Sequence, residues 1–303
     1  MDPQPDFRPV AGTADELSPG LRRVLAPNPS PMTYRGTNTY LLGFTDLAVI
    51  DPGPDNPVHL QAILAAVQPG QQITHILVTH AHIDHSPLAR ALSASTGAPI
   101  LGFGSAEAGR SEAMTLLAAE GLLGGGEGVD HAFAPDITLA HGETVEGAGW
   151  QVRALHTPGH MANHLSFAWG DILFSGDLVM GWASSLVSPP DGDLTDFMAS
   201  LRTLSTERWS TFHAGHGAPV TQPMDRIEAL LKHRLGREAS ILEHLTQAPA
   251  TAAELAAKIY TDTPTALLGA AQRNVLSHLI DMTQKSWVAP EGPLSAKARF
   301  SRL

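Results

Sequence analysis

The chain has 303 residues, is 43% hydrophobic, carries 19 Lys and Arg against 30 Asp and Glu, and has no cysteine. That apolar content can bury one large core and one small one, while the missing thiols exclude disulfides and thiolate-ligated metals. No stretch approaches the roughly 20 apolar residues of a membrane span, and the acidic, proline-rich opening is unlike a signal peptide, so a cytoplasmic location and no membrane partner are expected.

Charge is unevenly spread: residues 1–220 hold 9 Arg and no Lys against 22 acidic residues, whereas residues 221–303 hold 10 basic and 8 acidic ones. Long nucleic acids normally need a basic footprint, so this balance disfavours them as partners and favours a small-molecule substrate. Three units are expected: an N-terminal extension over residues 1–20, a main domain over 21–222 and a small C-terminal domain over 223–303.

Residues 73–79, rich in β-branched and apolar side chains, predict a buried strand. His80, His82, Asp84 and His85 follow at once. Alternate side chains of an extended chain share a face, so His80 and His82 can point into one cavity, with Asp84 and His85 joining as the backbone turns. Pro87 fits the first turn of a helix reaching about Thr96. A lone histidine here would be an ordinary hydrogen-bonded turn residue; ligand-type side chains at this spacing predict a metal site. Imidazole and carboxylate donors suit zinc, with iron or manganese as competitors.

Split between two metals, those residues leave each undercoordinated, and the rest of the chain supplies more. Helical spacing over residues 111–119 leads into a glycine-rich stretch at 120–128, which reads as a surface loop or a mobile flap, and then a strand signal at 137–139. Residues 150–155 predict a strand, after which the turn Thr157-Pro158-Gly159 brings in His160. A strand pair over residues 165–173 precedes Asp177. His216 stands between Gly215 and Gly217, glycines that would let the backbone approach a crowded site. Of the other histidines, His75 and His156 read as structural, His164 as an outer support or a substrate contact, His213 as the main rival to His216, and His233 as a helix-surface residue that could face the pocket.

The set His80, His82, Asp84, His85, His160, Asp177 and His216 resembles the metallo-beta-lactamase superfamily, over about residues 37–219. The resemblance implies an α/β fold, an αββα sandwich with its metal site at one edge between two sheets. It assigns His80, His82 and His160 to one zinc, Asp84, His85 and His216 to a second, and Asp177 to both. Residues 36–42 and the strand end at Asp51 resemble the family's N-terminal hairpin, with Asp51 orienting the His-rich loop rather than binding metal. Without cysteine, and with Asp177 where one dizinc lactamase class lacks a bridging carboxylate, β-lactamase activity is disfavoured. His82, where flavodiiron oxidoreductases usually carry glutamate, disfavours a diiron redox role. Ser86 and Pro87 replace the usual Gly-Gly, a change that could reshape the helix start.

Residues 224–245 have helical spacing, and two further helices over 253–260 and 266–283, followed by Trp287 and Val288 and a Pro-Gly turn, predict a winged-helix pattern. With the first domain it is similar to the beta-lactamase-like protein two subgroup. A unit that packs on the main domain and walls the pocket or a dimer contact is expected ahead of a DNA reader, and homodimerisation only by analogy.

The function expected is that of a zinc-dependent hydrolase holding two metals, with a hydroxide between them attacking a small ester, thioester or lactone and Asp84 accepting the proton. The alternatives are a single-stranded RNA phosphodiesterase, a mononuclear iron persulfide dioxygenase and a catalytically silent binding module. Glutathione thioesters would need cations for their carboxylates, which Lys232, Arg234 and Arg237 could supply.

Overall fold

The computed structural model describes residues 2–122, 124, 128–264 and 267–303. A seven-stranded sheet is formed by β1 (Ala14–Ser18), β2 (Leu21–Leu25), β3 (Asn38–Gly43), β4 (Asp46–Ile50), β5 (Gln72–Leu77), β6 (Ile100–Gly102) and β7 (Ile137–Thr138), in that spatial order. It is antiparallel from β1 to β4 and parallel from β4 to β7. Strands covered on both faces must be apolar throughout, which is why Leu47, Ala48, Val49 and Ile50 are all buried. A five-stranded sheet comprises β8 (Thr144–Gly147), β9 (Trp150–His156), β10 (Leu165–Trp169), β11 (Ile172–Gly176) and β12 (Thr211–Ala214), with β11 and β12 parallel.

The two sheets close on a core that includes Leu42, Ile50, Leu77, Phe167 and Phe174. Helices α1 (Pro57–Ala65) and α2 (Leu88–Thr96) cover the outer face of the larger sheet, burying Ile63, Leu88 and Leu92 against Val49 and Ile76. Two later helices, α4 (Leu194–Leu204) and α5 (Pro223–Leu245), cover the smaller one. The result is the expected αββα sandwich. Among the described residues no helix is long and apolar enough to cross a membrane.

Four expectations need correction or restriction. Residues 1–20 do not stand outside the domain: β1 pairs with β2 as the sheet's edge, Phe7 is buried, and Gln4 accepts a hydrogen bond from the Ala218 amide through Oε1 at 2.9 Å. An edge strand exposed on one side lacks the apolar run that betrays a central strand, so the sequence hid it. Pro87 precedes α2 as its N-cap rather than occupying its first turn. The expected helix from Ala266 begins outside the described residues, as does part of the glycine-rich stretch (Leu123, Gly125, Gly126 and Glu127).

The C-terminal unit is a three-stranded sheet of β13 (Ala250–Thr251), β14 (Val288–Pro290) and β15 (Arg299–Arg302) with α6 (Ala252–Ile259) and α7 (Leu268–Gln284). Thr251 and Glu254 form a capping box that starts α6. Helix α5 serves both cores: Ile227 and Leu230 pack under the smaller sheet, while Ile241 and Leu245 pack with Leu255, Leu279 and Phe300. Met114 and Leu117 of α3 (Glu112–Ala119) also enter that second core.

Phe167 is fully buried between the sheets. Phe167→Ala is expected to lower unfolding free energy by about 3–5 kcal/mol, measured by urea denaturation; a change below about 1 kcal/mol would contradict the packing described.

Candidate metal centre

Every predicted ligand emerges just past the C-terminal end of a strand on one edge of the sandwich: His80, His82, Asp84 and His85 after β5, His160 after β9, Asp177 after β11 and His216 after β12. Crowding there is severe. A Cβ on Gly215 would lie 2.3 Å from Asp177 Oδ1 and 2.6 Å from His85 Cε1, so only glycine lets β12 deliver His216.

The ring atoms converge in three overlapping groups: His80, His82 and His160; His80, His85 and Asp177; Asp84, His85 and His216. His82 Nδ1 lies 2.9 Å from His80 Nε2 and 3.0 Å from His160 Nε2, and His85 Nε2 lies 3.3 Å from His216 Nε2. Asp177 lies between the groups, with Oδ2 3.7 Å from His160 Nε2 and 3.3 Å from His216 Nε2, and Oδ1 3.6 Å from His85 Nε2. Asp84 Oδ2 is 3.1 Å from His216 Nε2.

Outer hydrogen bonds decide which ring nitrogen faces inward. Asp51, in left-handed backbone at φ 51°, accepts from the Thr79 amide, the Thr79 hydroxyl and His85 Nδ1 at 2.7, 2.8 and 2.9 Å. Since Thr79 spends its only proton on Asp51, its oxygen must accept from His80 Nδ1, 2.9 Å away. His160 Nδ1 donates to the Leu186 carbonyl at 2.7 Å and His216 Nδ1 to the Gly36 carbonyl at 3.2 Å. All these rings therefore turn Nε2 toward the centre. The lone pairs of His80 and His160 both face His82 Nδ1, which has one proton at most, so at least one of those contacts cannot be a hydrogen bond. Both carboxylate oxygens of Asp84 and Oδ1 of Asp177 are buried with no hydrogen-bond partner. Donor atoms held about 2.0–2.2 Å from one cation in tetrahedral geometry lie about 3.3–3.6 Å apart, so a cation fits this donor set.

Electrostatics divide the site. Burial pushes His80 well below the usual imidazole range and His82 down to about 3, with the neighbouring rings adding to the shift, so both are neutral. Burial alone would also lower His216, but Asp177 and Asp84 overcome it and raise the ring to about 10; His85 is likewise raised by Asp84, Asp177 and Asp51. Reciprocally, burial would raise Asp84, yet His85 and His216 hold it down at about 2. Without metal, the carboxylates thus draw protons onto the nitrogens that a cation would occupy.

The remaining histidines separate by contact. His164 accepts from the Asp177 amide at 3.2 Å and donates through Nδ1 to Thr157 Oγ1 at 3.0 Å, so it supports Asp177 and does not line the cavity. His213 packs beside Tyr40 and Phe174, outside the convergent groups. His75 meets Trp150 edge-on, and His156 stacks on Phe103 while bonding the Ala162 carbonyl. His233 lines a separate surface hollow with Lys232 and Arg237. Arg234 is buried, so it cannot meet a ligand's carboxylate as the sequence allowed.

Sequence reasoning missed Thr79, His59 and Asp130. Thr79 reads as the last residue of a strand. His59 donates to Thr39 Oγ1, whose proton goes to the Asp51 carbonyl, and so braces the loop behind Asp51. Asp130 accepts from Ser86 Oγ at 2.8 Å, and its amide donates to the Ala81 carbonyl, pinning the His-rich loop.

Above the centre opens a cavity of about 200 Å3. His82, Asp84, His160, Asp177 and His216 are among its lining residues, together with Met32, Met180, Trp182 and Leu186 from the sandwich and Tyr260, Leu267, Ala271 and Asn274 from the C-terminal unit. Residues 32–216 match the family model of the metallo-beta-lactamase superfamily. The chain belongs to that superfamily. Residues 251–292 match the beta-lactamase associated winged helix domain. Among metallo-beta-lactamase relatives, the beta-lactamase-like protein 2 homolog of Drosophila melanogaster is 32% identical over 279 residues, 87% of this chain and 87% of that protein. An atrochrysone carboxyl ACP thioesterase of Passalora fulva is 29% identical over 271 residues, 83% of this chain and 71% of that one. The crystal structure of a metallo-beta-lactamase family protein from Thermus thermophilus matches with TM-score 0.76 and 26% identity, covering 95% of this chain and 100% of the other.

Burial pushes His59 and His213 down to about 4. Below pH 6.5 the unfolded chain takes up these protons before the folded chain does, so the stability these two residues contribute is full above pH 6.5 and falls as pH drops toward 4. In urea unfolding at a series of pH values, His59→Gln should flatten that fall by up to about 3 kcal/mol. An unchanged slope would show that His59 is not held neutral.

Proposed function

We propose that this chain is a binuclear metal-dependent hydrolase of a small ester, thioester or lactone whose acyl group is neutral and apolar. The cavity lining carries the reading: among the described lining residues there is no lysine or arginine, while Met32, Met180, Trp182, Leu186 and Leu267 present apolar surface. A nucleic-acid strand brings phosphates that need cationic partners along its length, whereas a carbonyl substrate needs charge stabilisation only at the reacting oxygen. The thioesterase name carried by the Passalora fulva relative supports the same substrate class.

In this reading His80, His82 and His160 hold one cation, Asp84, His85 and His216 the other, and Asp177 serves both. Zinc suits the nitrogen and oxygen donors, with iron or manganese next. Bound there, such cations lower the pKa of water toward neutrality and polarise the substrate oxygen. The chain does the positioning: Asp51 and Thr79 fix His80 and His85, and the apolar wall holds the acyl group. Asp84, which also lines the cavity, accepts the proton released from that water. Residues 21–222 supply the chemistry in this proposal, and residues 223–303 complete the wall.

Metal analysis of the purified chain should find about two zinc ions, and Asp177→Ala should lose more than about 100-fold in kcat/KM on a thioester, since even outer supports of a metal ligand are worth about 10–100-fold. Cleavage of labelled single-stranded RNA without ester or thioester turnover would contradict the proposal.

Along a series of acyl esters from acetyl to hexanoyl, kcat/KM should rise by up to about fourfold per methylene, following about 0.8 kcal/mol for each CH2 buried. A succinyl ester should be a poorer substrate than its neutral isostere; the reverse order would place a cation in the acyl pocket and overturn the assignment.

A further inference from the structure

We propose that Arg234 on α5 and Asn274 on α7 are positioning residues for the metal ligand His160. The inference rests on the metal reading above. His160 is oriented by one carbonyl, that of Leu186, at 2.7 Å. Leu186 lies in an irregular segment between β11 and α4, with no sheet ladder to fix its backbone. The residues on either side of it are held instead. The Val187 amide donates to Asn274 Oδ1 at 3.2 Å, and Arg234 Nη2 donates to the Ser185 carbonyl. Arg234 Nη1 also donates to Asn274 Oδ1, at 2.9 Å, which ties the two grips together.

The clamp is stiff. Arg234 is 1% exposed, and its guanidinium sits 5.0 Å from the Phe197 ring centroid. Phe197 in turn packs on the turn before His160, where a Cβ on Gly159 would lie 2.3 Å from Phe197 Cα. Helices α5 and α7 thus fix the peptide whose carbonyl selects the His160 tautomer with Nε2 bare toward the centre. The other group is oriented from elsewhere: His85 by Asp51 and His216 by the Gly36 carbonyl. Loss of the clamp should therefore weaken one metal position and spare the other.

The test is a Zn2+ titration of the full chain against a chromophoric chelator. Two sites are expected in the native chain. Asn274→Ala should weaken one of them by about 10–100-fold, leaving the other unchanged. Asn274→Asp keeps an oxygen for both donors and should restore affinity, a rescue that general loss of packing would not give. Arg299→Ala, which removes bonds to Glu254 and the Pro249 carbonyl of the same unit and none to the clamp, should bind as the native chain does. If Asn274→Ala fails to fold by circular dichroism, Arg234→Lys takes its place with the same expectation. A folded clamp variant with both native affinities would overturn the inference alone; a native chain that binds no metal would overturn the reading of the site beneath it.

Discussion

Buried lone pairs and carboxylates that face one another repel unless positive charge stands between them, and the edge of this sandwich gathers both in a space from which water is largely excluded. His80 and His160 turn bare Nε2 atoms toward His82, while Asp84 and Asp177 crowd against His85 and His216. Protons relieve only part of that strain, on the His85 and His216 side. Much of the surrounding structure serves to keep the arrangement from relaxing: Asp51 in left-handed backbone, Thr79 relaying its charge to His80, His164 beneath Asp177, and Gly215 where no side chain fits.

What could be read from the sequence follows from distance along the chain. His80 through His85 declare themselves because they are nearly consecutive, His160 and Asp177 because each follows a recognisable strand, and His216 because glycines flank it. The sandwich was legible through the family resemblance that those ligands carry, and its central strands, apolar on both faces, agree with it. Support residues were not. Thr79 looks like the end of a strand, His59 like an ordinary helix histidine, and each acquires a role through a partner 20 or more positions away.

Arg234 shows the limit most plainly. On a helix with Lys232 and Arg237 it reads as part of a solvated cationic face, yet helical rotation turns it inward while His233 and Arg237 stay at the surface hollow. Burying a guanidinium is unfavourable unless its donors are used, and here they reach Ser185 and Asn274. Burial lowers its pKa to about 10, so it remains charged. The winged-helix unit is therefore joined to the sandwich by more than proximity: α5 runs through both cores, and Tyr260, Leu267 and Ala271 form one side of the cavity.

In the proposed function, one buried cluster holds two adjacent cations with nitrogen and oxygen donors alone. X-ray absorption at the zinc edge of the loaded chain tests it directly. A first shell of nitrogen and oxygen at about 2.0–2.2 Å and a metal–metal vector near 3.5–4 Å are expected. A single metal with no neighbouring metal scatterer at full loading would contradict it.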